Sequence, residues 1–178
     1  MPAKNLFILI AIIACLTGCK SKNSSAPKTT VGEAKKKFEI VNKALVQKDK
    51  ERILAYIERH KLDGMHENKS GLYYLIWGKI SGSKVKEGDI VLINYKVELL
   101  DGTLCYNTFT SNSPKEFMVS KGGVEAGLEM AVLMMYPGQK GKFIMPPHLA
   151  HGLLGDNDKI PPMAVLVFDV ELLAVIES

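Results

Sequence analysis

Apolar and polar residues alternate along the second half of the chain in a pattern that predicts an antiparallel sheet. Residues 91–99 place an apolar side chain at every second position, Tyr95 among them, which is typical of a half-buried strand. Asp101-Gly102 follows and predicts a tight hairpin turn into a returning strand at 103–108. The same kind of pattern predicts further strands at 72–80, 116–120, 140–145 and 164–172.

Helical spacing of apolar residues appears in two places. Gly122-Gly123 precedes a helix that is predicted to end at Pro137-Gly138 and whose apolar stripe is Val124, Leu128, Ala131, Val132 and Met135. One helix lying across an antiparallel sheet indicates an α+β fold. Residues 33–60 predict two short amphipathic helices, broken near Lys48-Asp49-Lys50. Their apolar faces are narrow, so we expect them to dock on another surface.

The N-terminus predicts export and lipidation. After Lys4, the apolar run at 6–14 is too short to span a bilayer, which needs about 20 residues, and it is typical of a secretory signal. Leu16-Thr17-Gly18-Cys19 resembles the lipobox of bacterial lipoproteins, whose cysteine receives acyl chains such as palmitate before cleavage. An ordinary signal peptide with a chance cysteine, or an uncleaved anchor, is the alternative.

These segments predict four regions: a signal peptide at 1–18, a flexible tether at 19–32, a helical arm at 33–68 and a pocket-bearing domain at 69–178. The tether is rich in Ser, Lys and Thr and contains Pro27. Lys20, rather than an acidic retention residue, follows Cys19. We therefore expect an envelope lipoprotein held at the outer membrane and facing the periplasm.

Composition adds two exclusions. The chain is 47% apolar and 24% charged, with a formal net charge of +4. Its lysines cluster towards the N-terminus without an arginine-rich stripe, so no nucleic-acid partner is predicted. With Cys15 removed and Cys19 acylated, only Cys105 remains, so no intramolecular disulfide is expected and Cys105 is interpreted as a buried apolar residue.

Several short motifs follow one another between about residues 85 and 175. They are Glu87-Gly88-Asp89, Tyr95, Leu100-Asp101-Gly102-Thr103, Val124, Gly127-Leu128-Glu129, Pro137-Gly138-Gln139-Lys140, Gly152, Gly155, Ile160-Pro161-Pro162 and Leu166-Val167-Phe168-Asp169-Val170-Glu171-Leu172. In order and spacing they resemble the FKBP-type peptidyl-prolyl isomerases. The overall layout is similar to that of FKBP-like lipoproteins associated with gliding motility.

The resemblance implies an FKBP-like antiparallel half-barrel sheet wrapped around one helix and preceded by a short helical N-terminal arm. It places Tyr95 at the pocket floor, Phe168 in another wall and Val124 beside the substrate proline. Glu125 would act through its backbone N–H at the start of the helix, where free donors point at a carbonyl.

The remaining implied pocket residues include substitutions. Leu128 takes a floor position where many members have Trp, and His151 stands where the family usually has a Tyr whose hydroxyl bonds the ligand. Ile160 and Pro161 would form part of the rim.

One motif departs from the family. After Asp101-Gly102 the family normally shows a Phe-Asp pair, whereas this chain has Cys105-Tyr106 at the pocket rim. The missing carboxylate and the missing aromatic wall could reduce catalysis while peptide binding survives.

A metal site is a weaker hypothesis. His148 and His151 lie three residues apart with Asp156 and Asp158 nearby, but in a proline-broken loop without cysteine. We predict neither a metal nor a cofactor.

The leading hypothesis is therefore a lipid-anchored prolyl isomerase that acts on proline-containing exported client proteins. The alternatives are a non-catalytic or weakly catalytic peptide-binding module that assembles a surface or motility machinery, and a general chaperone. In the chaperone, the helical arm would contact clients or join two copies into a homodimer.

Overall fold

The computed structural model describes residues 30–177. The predicted signal peptide, Cys19 and the tether up to residue 29 lie outside the described residues. By its contacts the chain divides into one unit that ends at Ile40 and a second that begins at Val41. None of the helices between residues 30 and 177 combines the length and the apolar character needed to cross a membrane.

Helix α1 (Val31–Arg59) is continuous over 29 residues. It begins with a capping box, in which the Thr30 N–H donates to Glu33 Oε2 at 3.1 Å and the Glu33 N–H donates to Thr30 Oγ1 at 3.4 Å. The predicted break near Lys48-Asp49-Lys50 is wrong. The segment contains no glycine or proline, and buried Asp49 accepts a bond from Arg52, one turn further on, at 3.2 Å.

The second unit contains a seven-stranded antiparallel sheet and two further helices. The strands are β1 (His66–Glu67), β2 (Tyr73–Trp77), β3 (Ile90–Leu99), β4 (Leu104–Asn107), β5 (Lys115–Met118), β6 (Lys140–Met145) and β7 (Leu166–Ile176). Their order is β1-β2-β6-β7-β3-β4, and β5 also pairs with β3. The helices are α2 (Thr108–Ser111) and α3 (Ala126–Leu133). This arrangement confirms the predicted α+β class.

The main core lies between α3 and one face of the sheet. Alternate residues of β3, namely Val91, Ile93 and Val97, are buried there, as the sequence pattern predicts. Leu128, Ala131 and Val132 of α3 are buried in the same cluster, as predicted. The helix is shorter than predicted, since it ends at Leu133, and Val124 and buried Met135 of the predicted stripe lie just outside it.

A second, smaller core contains residues of α1 and the sheet. Ile53 and Tyr56 of α1 are buried in one cluster with Tyr73, Ile144, Val165 and Val167. Burial of an isoleucine side chain contributes about 1.5–3 kcal/mol, so this contact holds the end of α1 firmly. The expected docking of the arm is confirmed over this part of α1. Strand β7 is buried on both faces only at its beginning, where Val167 lies in this cluster and Phe168 lies in the main core. Further along, Asp169 and Glu171 form ion pairs with lysines of neighbouring strands.

A long loop joins β6 to β7 and begins with a 3₁₀ turn at Pro147–Leu149. Two backbone bonds close it on itself: the Gly152 N–H donates to the Pro147 carbonyl at 2.8 Å, and the Met163 N–H donates to the Gly152 carbonyl at 3.0 Å. Because its backbone is satisfied internally, the loop holds a defined shape beside the sheet.

Candidate functional site

An aromatic pair forms the centre of the candidate site. Tyr95 on β3 and Phe168 on β7 stack with ring centroids 6.2 Å apart and planes inclined by 29°. The two strands are in register there, since Tyr95 pairs with Val170 and Phe168 with Val97. Phe168 is fully buried, whereas Tyr95 is half-buried. The structure thus brings together the two aromatic residues that the resemblance implied.

Tyr95 is fixed at its backbone and protonated at its hydroxyl. The Tyr95 N–H donates to Thr108 Oγ1 at 2.8 Å, at the start of α2. Burial raises the pKa of Tyr95, and the negative charge of Glu125 raises it further. The phenol therefore stays neutral at physiological pH.

The start of α3 lies beside this pair. Glu125 is the N-cap residue, in an extended conformation, and its carboxylate does not cap the helix. The Leu128 and Glu129 N–H groups donate to the Glu125 carbonyl, at 2.9 and 3.1 Å. The amides that precede Leu128 come before the first bond within the helix and can hold a carbonyl oxygen. Val124 is half-buried against the main core, and Leu128 is 1% exposed, beneath the site.

His151 contacts the N-cap residue of helix α3. Its Nε2 lies 2.9 Å from Glu125 Oε1, and both side chains are half-buried. An imidazole paired with a carboxylate therefore stands where the family usually has a tyrosine hydroxyl. His148 lies elsewhere, with Nε2 3.0 Å from the Ser70 carbonyl oxygen. Within residues 30–177, no three His, Cys, Asp or Glu side chains are grouped to hold a metal ion.

Cys105 and Tyr106, which replace the family's Phe-Asp pair, lie in different surroundings. Cys105 is 2% exposed and lies in the main core, behind the rim, where burial raises the pKa of its thiol. Tyr106 is half-buried, and its hydroxyl donates to the Asp156 carboxylate. Sequence reasoning did not assign Asp156 to the site. The signal that could have found it is an Asp-x-Asp sequence four residues before Ile160 in the same loop.

The rim continues along the loop. Ile160 is buried, and the exposed Pro161 follows it. Both line a cavity of about 410 Å³, together with Leu99, Leu154 and Pro162. Two other cavities, of about 870 and 660 Å³, lie against α1. None of these three cavities is lined by Tyr95 or Phe168.

An antiparallel sheet packed on one short helix, with an aromatic pair beside the helix start, defines an FKBP fold. The sequence model of the FKBP-type peptidyl-prolyl cis-trans isomerase family matches residues 81–173, and the chain belongs to this family.

Curated relatives and solved structures agree with that assignment. The FKBP-type 22 kDa peptidyl-prolyl cis-trans isomerase of Escherichia coli is 34% identical over 122 residues, which are 68% of this chain and 58% of that protein. The crystal structure of FkpA from Escherichia coli superposes with a TM-score of 0.62 at 28% identity, covering 97% of this chain and 82% of that one.

A much longer relative matches over about half of this chain. Peptidyl-prolyl cis-trans isomerase FKBP9 of Mus musculus is 38% identical over 93 residues, which are 52% of this chain but 16% of that protein. The chain thus spans about a sixth of the length of this relative.

Proposed function

We propose that this protein catalyses cis–trans isomerisation of Xaa–Pro bonds in exported proteins. The observation that carries the proposal is the stacked Tyr95–Phe168 pair beside the start of α3. We propose that half-buried Tyr95 and Val124, packed against the core that contains fully buried Phe168, form an apolar recess for a proline ring. The helix start would offer amide donors for a neighbouring carbonyl.

The chemistry needs little more than this recess. Partial double-bond character gives the Xaa–Pro bond a barrier of about 18–20 kcal/mol. The planar amide is dipolar and well solvated by water, whereas the twisted amide is less so. An apolar recess that excludes water therefore favours the twisted state, and each 1.4 kcal/mol of such preference gives about a tenfold rate increase. The reaction requires neither a nucleophile nor a metal.

A protease-coupled assay with a proline-containing peptide tests this proposal on the full chain in detergent. We expect a rate above the uncatalysed one, and a Tyr95→Ala variant with kcat/KM lowered by at least about tenfold. Trp77→Ala is the matched control, because Trp77 is an exposed aromatic residue on β2. A folded wild-type protein that leaves the background rate unchanged would overturn the proposal.

The second candidate function is peptide binding or assembly with weak catalysis or none. It is favoured by the replacement of the family's Phe-Asp pair with Cys105-Tyr106, since Tyr106 is already engaged by Asp156. Calorimetric binding of a proline peptide without rate enhancement would support this candidate. Such a protein would fit the layout of the gliding-motility lipoproteins that the sequence resembles.

We further propose that the mature chain is anchored through lipid on Cys19, because the motif at 16–19 resembles a lipobox. Two or more acyl chains hold a protein stably on a bilayer, whereas one chain holds it weakly. The expected location is the outer membrane, facing the periplasm. Mass spectrometry of the mature protein tests the modification, and a Cys19→Ser protein should leave the membrane fraction and keep its isomerase activity.

Clients and a second copy of the chain are the proposed partners. Within the first unit, Val31, Phe38 and Ile40 of α1 are 88%, 69% and 61% exposed, which is unusual for such apolar side chains. We propose that they join two copies into a homodimer. Light scattering should then give a dimer mass that Phe38→Glu converts to a monomer. Leu153 and Leu154, exposed on the loop beside the site, suit apolar segments next to a client proline.

A further inference from the structure

The Asp156 carboxylate connects the loop to strand β4 at the rim where Cys105-Tyr106 replaces the family's Phe-Asp pair. Asp156 Oδ2 accepts the hydroxyl bond of Tyr106 from β4. Asp156 Oδ1 accepts two backbone bonds, from the Asp158 N–H at 2.9 Å and from the Ile160 N–H at 2.8 Å. The same side chain thus ties a strand to the loop and closes the turn of the loop.

The segment that Asp156 holds leads directly into the candidate pocket. The Asp156 N–H also donates to the Ile160 carbonyl, at 3.1 Å, so residues 156–160 form a closed turn. Ile160 packs in the main core with Phe168 and Cys105. A shift of this turn would therefore move Ile160 relative to the aromatic pair.

Charged groups around Tyr106 complete the arrangement. Lys159 Nζ lies 5.0 Å from the centre of the Tyr106 ring, within the range of a cation–π contact. Asp158 Oδ2 lies 3.4 Å from the Tyr106 hydroxyl. His151, which is paired with Glu125, acts electrostatically on Asp156. Tyr106 is thus held from several directions, and the strongest contact is the charge-assisted bond to Asp156.

We infer that Asp156 is a positioning residue of the isomerase site, which supplies through Tyr106 and Ile160 the wall that the Cys105-Tyr106 departure removes. The family's carboxylate is missing from position 106, but a carboxylate reaches the same rim from the loop. This inference rests on the proposed isomerase function and names the residue that maintains its pocket.

The negative charge of Asp156 determines which side chains are compatible with position 106. Burial alone would raise the pKa of Asp156, but the bonds from Tyr106 and from the Asp158 and Ile160 amides outweigh it and lower that pKa to about 2. The carboxylate is therefore anionic at every usual assay pH. A second carboxylate introduced at position 106 would face this anion and repel it.

The decisive experiment restores the family's motif. The Cys105→Phe/Tyr106→Asp double variant of the full chain is expected to lose at least about tenfold in kcat/KM, because its new carboxylate faces Asp156. Adding Asp156→Asn to the double variant should recover activity to within about threefold of wild type. Asp63→Asn, which changes an exposed aspartate far along the sequence, is the control for loss of one negative charge.

Single substitutions test whether Asp156 positions the pocket wall or only stabilises the fold. Asp156→Asn and Tyr106→Phe should raise KM about fivefold or more with a smaller change in kcat, because a displaced wall weakens binding of the substrate and the transition state alike. Amide exchange at Asp158 and Ile160, measured on an Asp156→Ala protein that has no acceptor at this position, should become faster.

The outcomes are distinct. A double variant as active as wild type, or unchanged exchange at Asp158 and Ile160 in Asp156→Ala, would overturn the inference. An inactive wild type would instead overturn the proposed isomerase function, and the amide-exchange measurement would still decide whether Asp156 holds the loop. Thermal melting of each variant identifies any that fail to fold.

Discussion

Gly155 adopts a φ of +70°, and a β-carbon at this position would overlap the carbonyl oxygen of Ile160. The turn from Gly155 to Ile160 therefore closes more tightly than any other residue type would allow. Since Ile160 is a wall of the candidate pocket, this glycine sets the shape of the site as well as the path of the loop.

Gly155→Ala should displace the turn and lower kcat/KM by at least about tenfold, with a loss of about 2 kcal/mol or more in the free energy of unfolding. Gly102→Ala is the matched comparison. Its φ is also positive, at +87°, but a β-carbon there meets no atom within 4 Å. It should cost about 1 kcal/mol and leave activity unchanged. Urea denaturation and the isomerase assay measure both effects, and equal effects at the two glycines would contradict a special role for Gly155.

Ile53→Ala should lower the free energy of unfolding by about 2–5 kcal/mol, because Ile53 is 1% exposed in the cluster that it forms with Tyr56 and the sheet. Leu54→Ala, at the next position of α1 but 46% exposed, should cost less than about 0.5 kcal/mol. Chemical denaturation of the two variants under the same conditions gives the comparison. If both substitutions cost the same, the docking of α1 contributes little to stability.

Asp156 should make stability depend on pH in acid. Its pKa is lowered in the folded protein from 3.8 to about 2, so its contribution is complete above about pH 4 and is lost as the pH falls towards 2. Wild type should thus exceed Asp156→Asn in stability at pH 5–7, and the difference should shrink between pH 4 and pH 2.5. Urea denaturation at several pH values measures it. A difference that stays constant down to pH 2.5 would contradict the lowered pKa.

Cys105 should react slowly with iodoacetamide. Alkylation requires an accessible thiolate, and burial raises the pKa of this thiol, with a further contribution from the charge of Asp156. We expect labelling of the folded protein at pH 8 to be at least about tenfold slower than labelling in urea. Peptide mapping by mass spectrometry follows Cys105 separately from the other cysteines. Equal rates in the two states would show that the thiol is accessible.

The strands could be predicted because the alternation of apolar and polar residues reflects which side chains are buried on one face of the sheet. Strand β6 occupies the same residues as predicted, Lys140–Met145, and β3 begins one residue earlier than its pattern indicates. Strand β1 was missed, since its two residues have no pattern of their own and pair only because β2 lies beside them. The break predicted in α1 was wrong because charged residues near Asp49 were interpreted as a boundary, although each of them is compatible with a helix.

Residues of the candidate site could be predicted where they belong to sequence motifs. They could not be predicted where only the folded structure brings them together. Tyr95 stacks on Phe168, the two aromatic residues that the resemblance implied, and Val124 packs against the same core. Asp156 could not be assigned, because its contact with Tyr106 joins residues 50 positions apart and exists only after the loop has closed. The composition of the loop supported only the weaker metal hypothesis, and His148 and His151 have different partners in the structure, the Ser70 carbonyl and Glu125.

Consecutive residues of β7 face opposite sides of the sheet: Val167 lies in the cluster with Ile53 and Tyr56, and Phe168 stacks on Tyr95. A fragment trimmed to residues 69–178 would retain every proposed pocket residue. It would also expose a group of apolar side chains on the face of the sheet opposite to Phe168, namely Tyr73, Ile144, Val165 and Val167. Such a fragment should aggregate during expression, so a useful shortened version must begin near Val41.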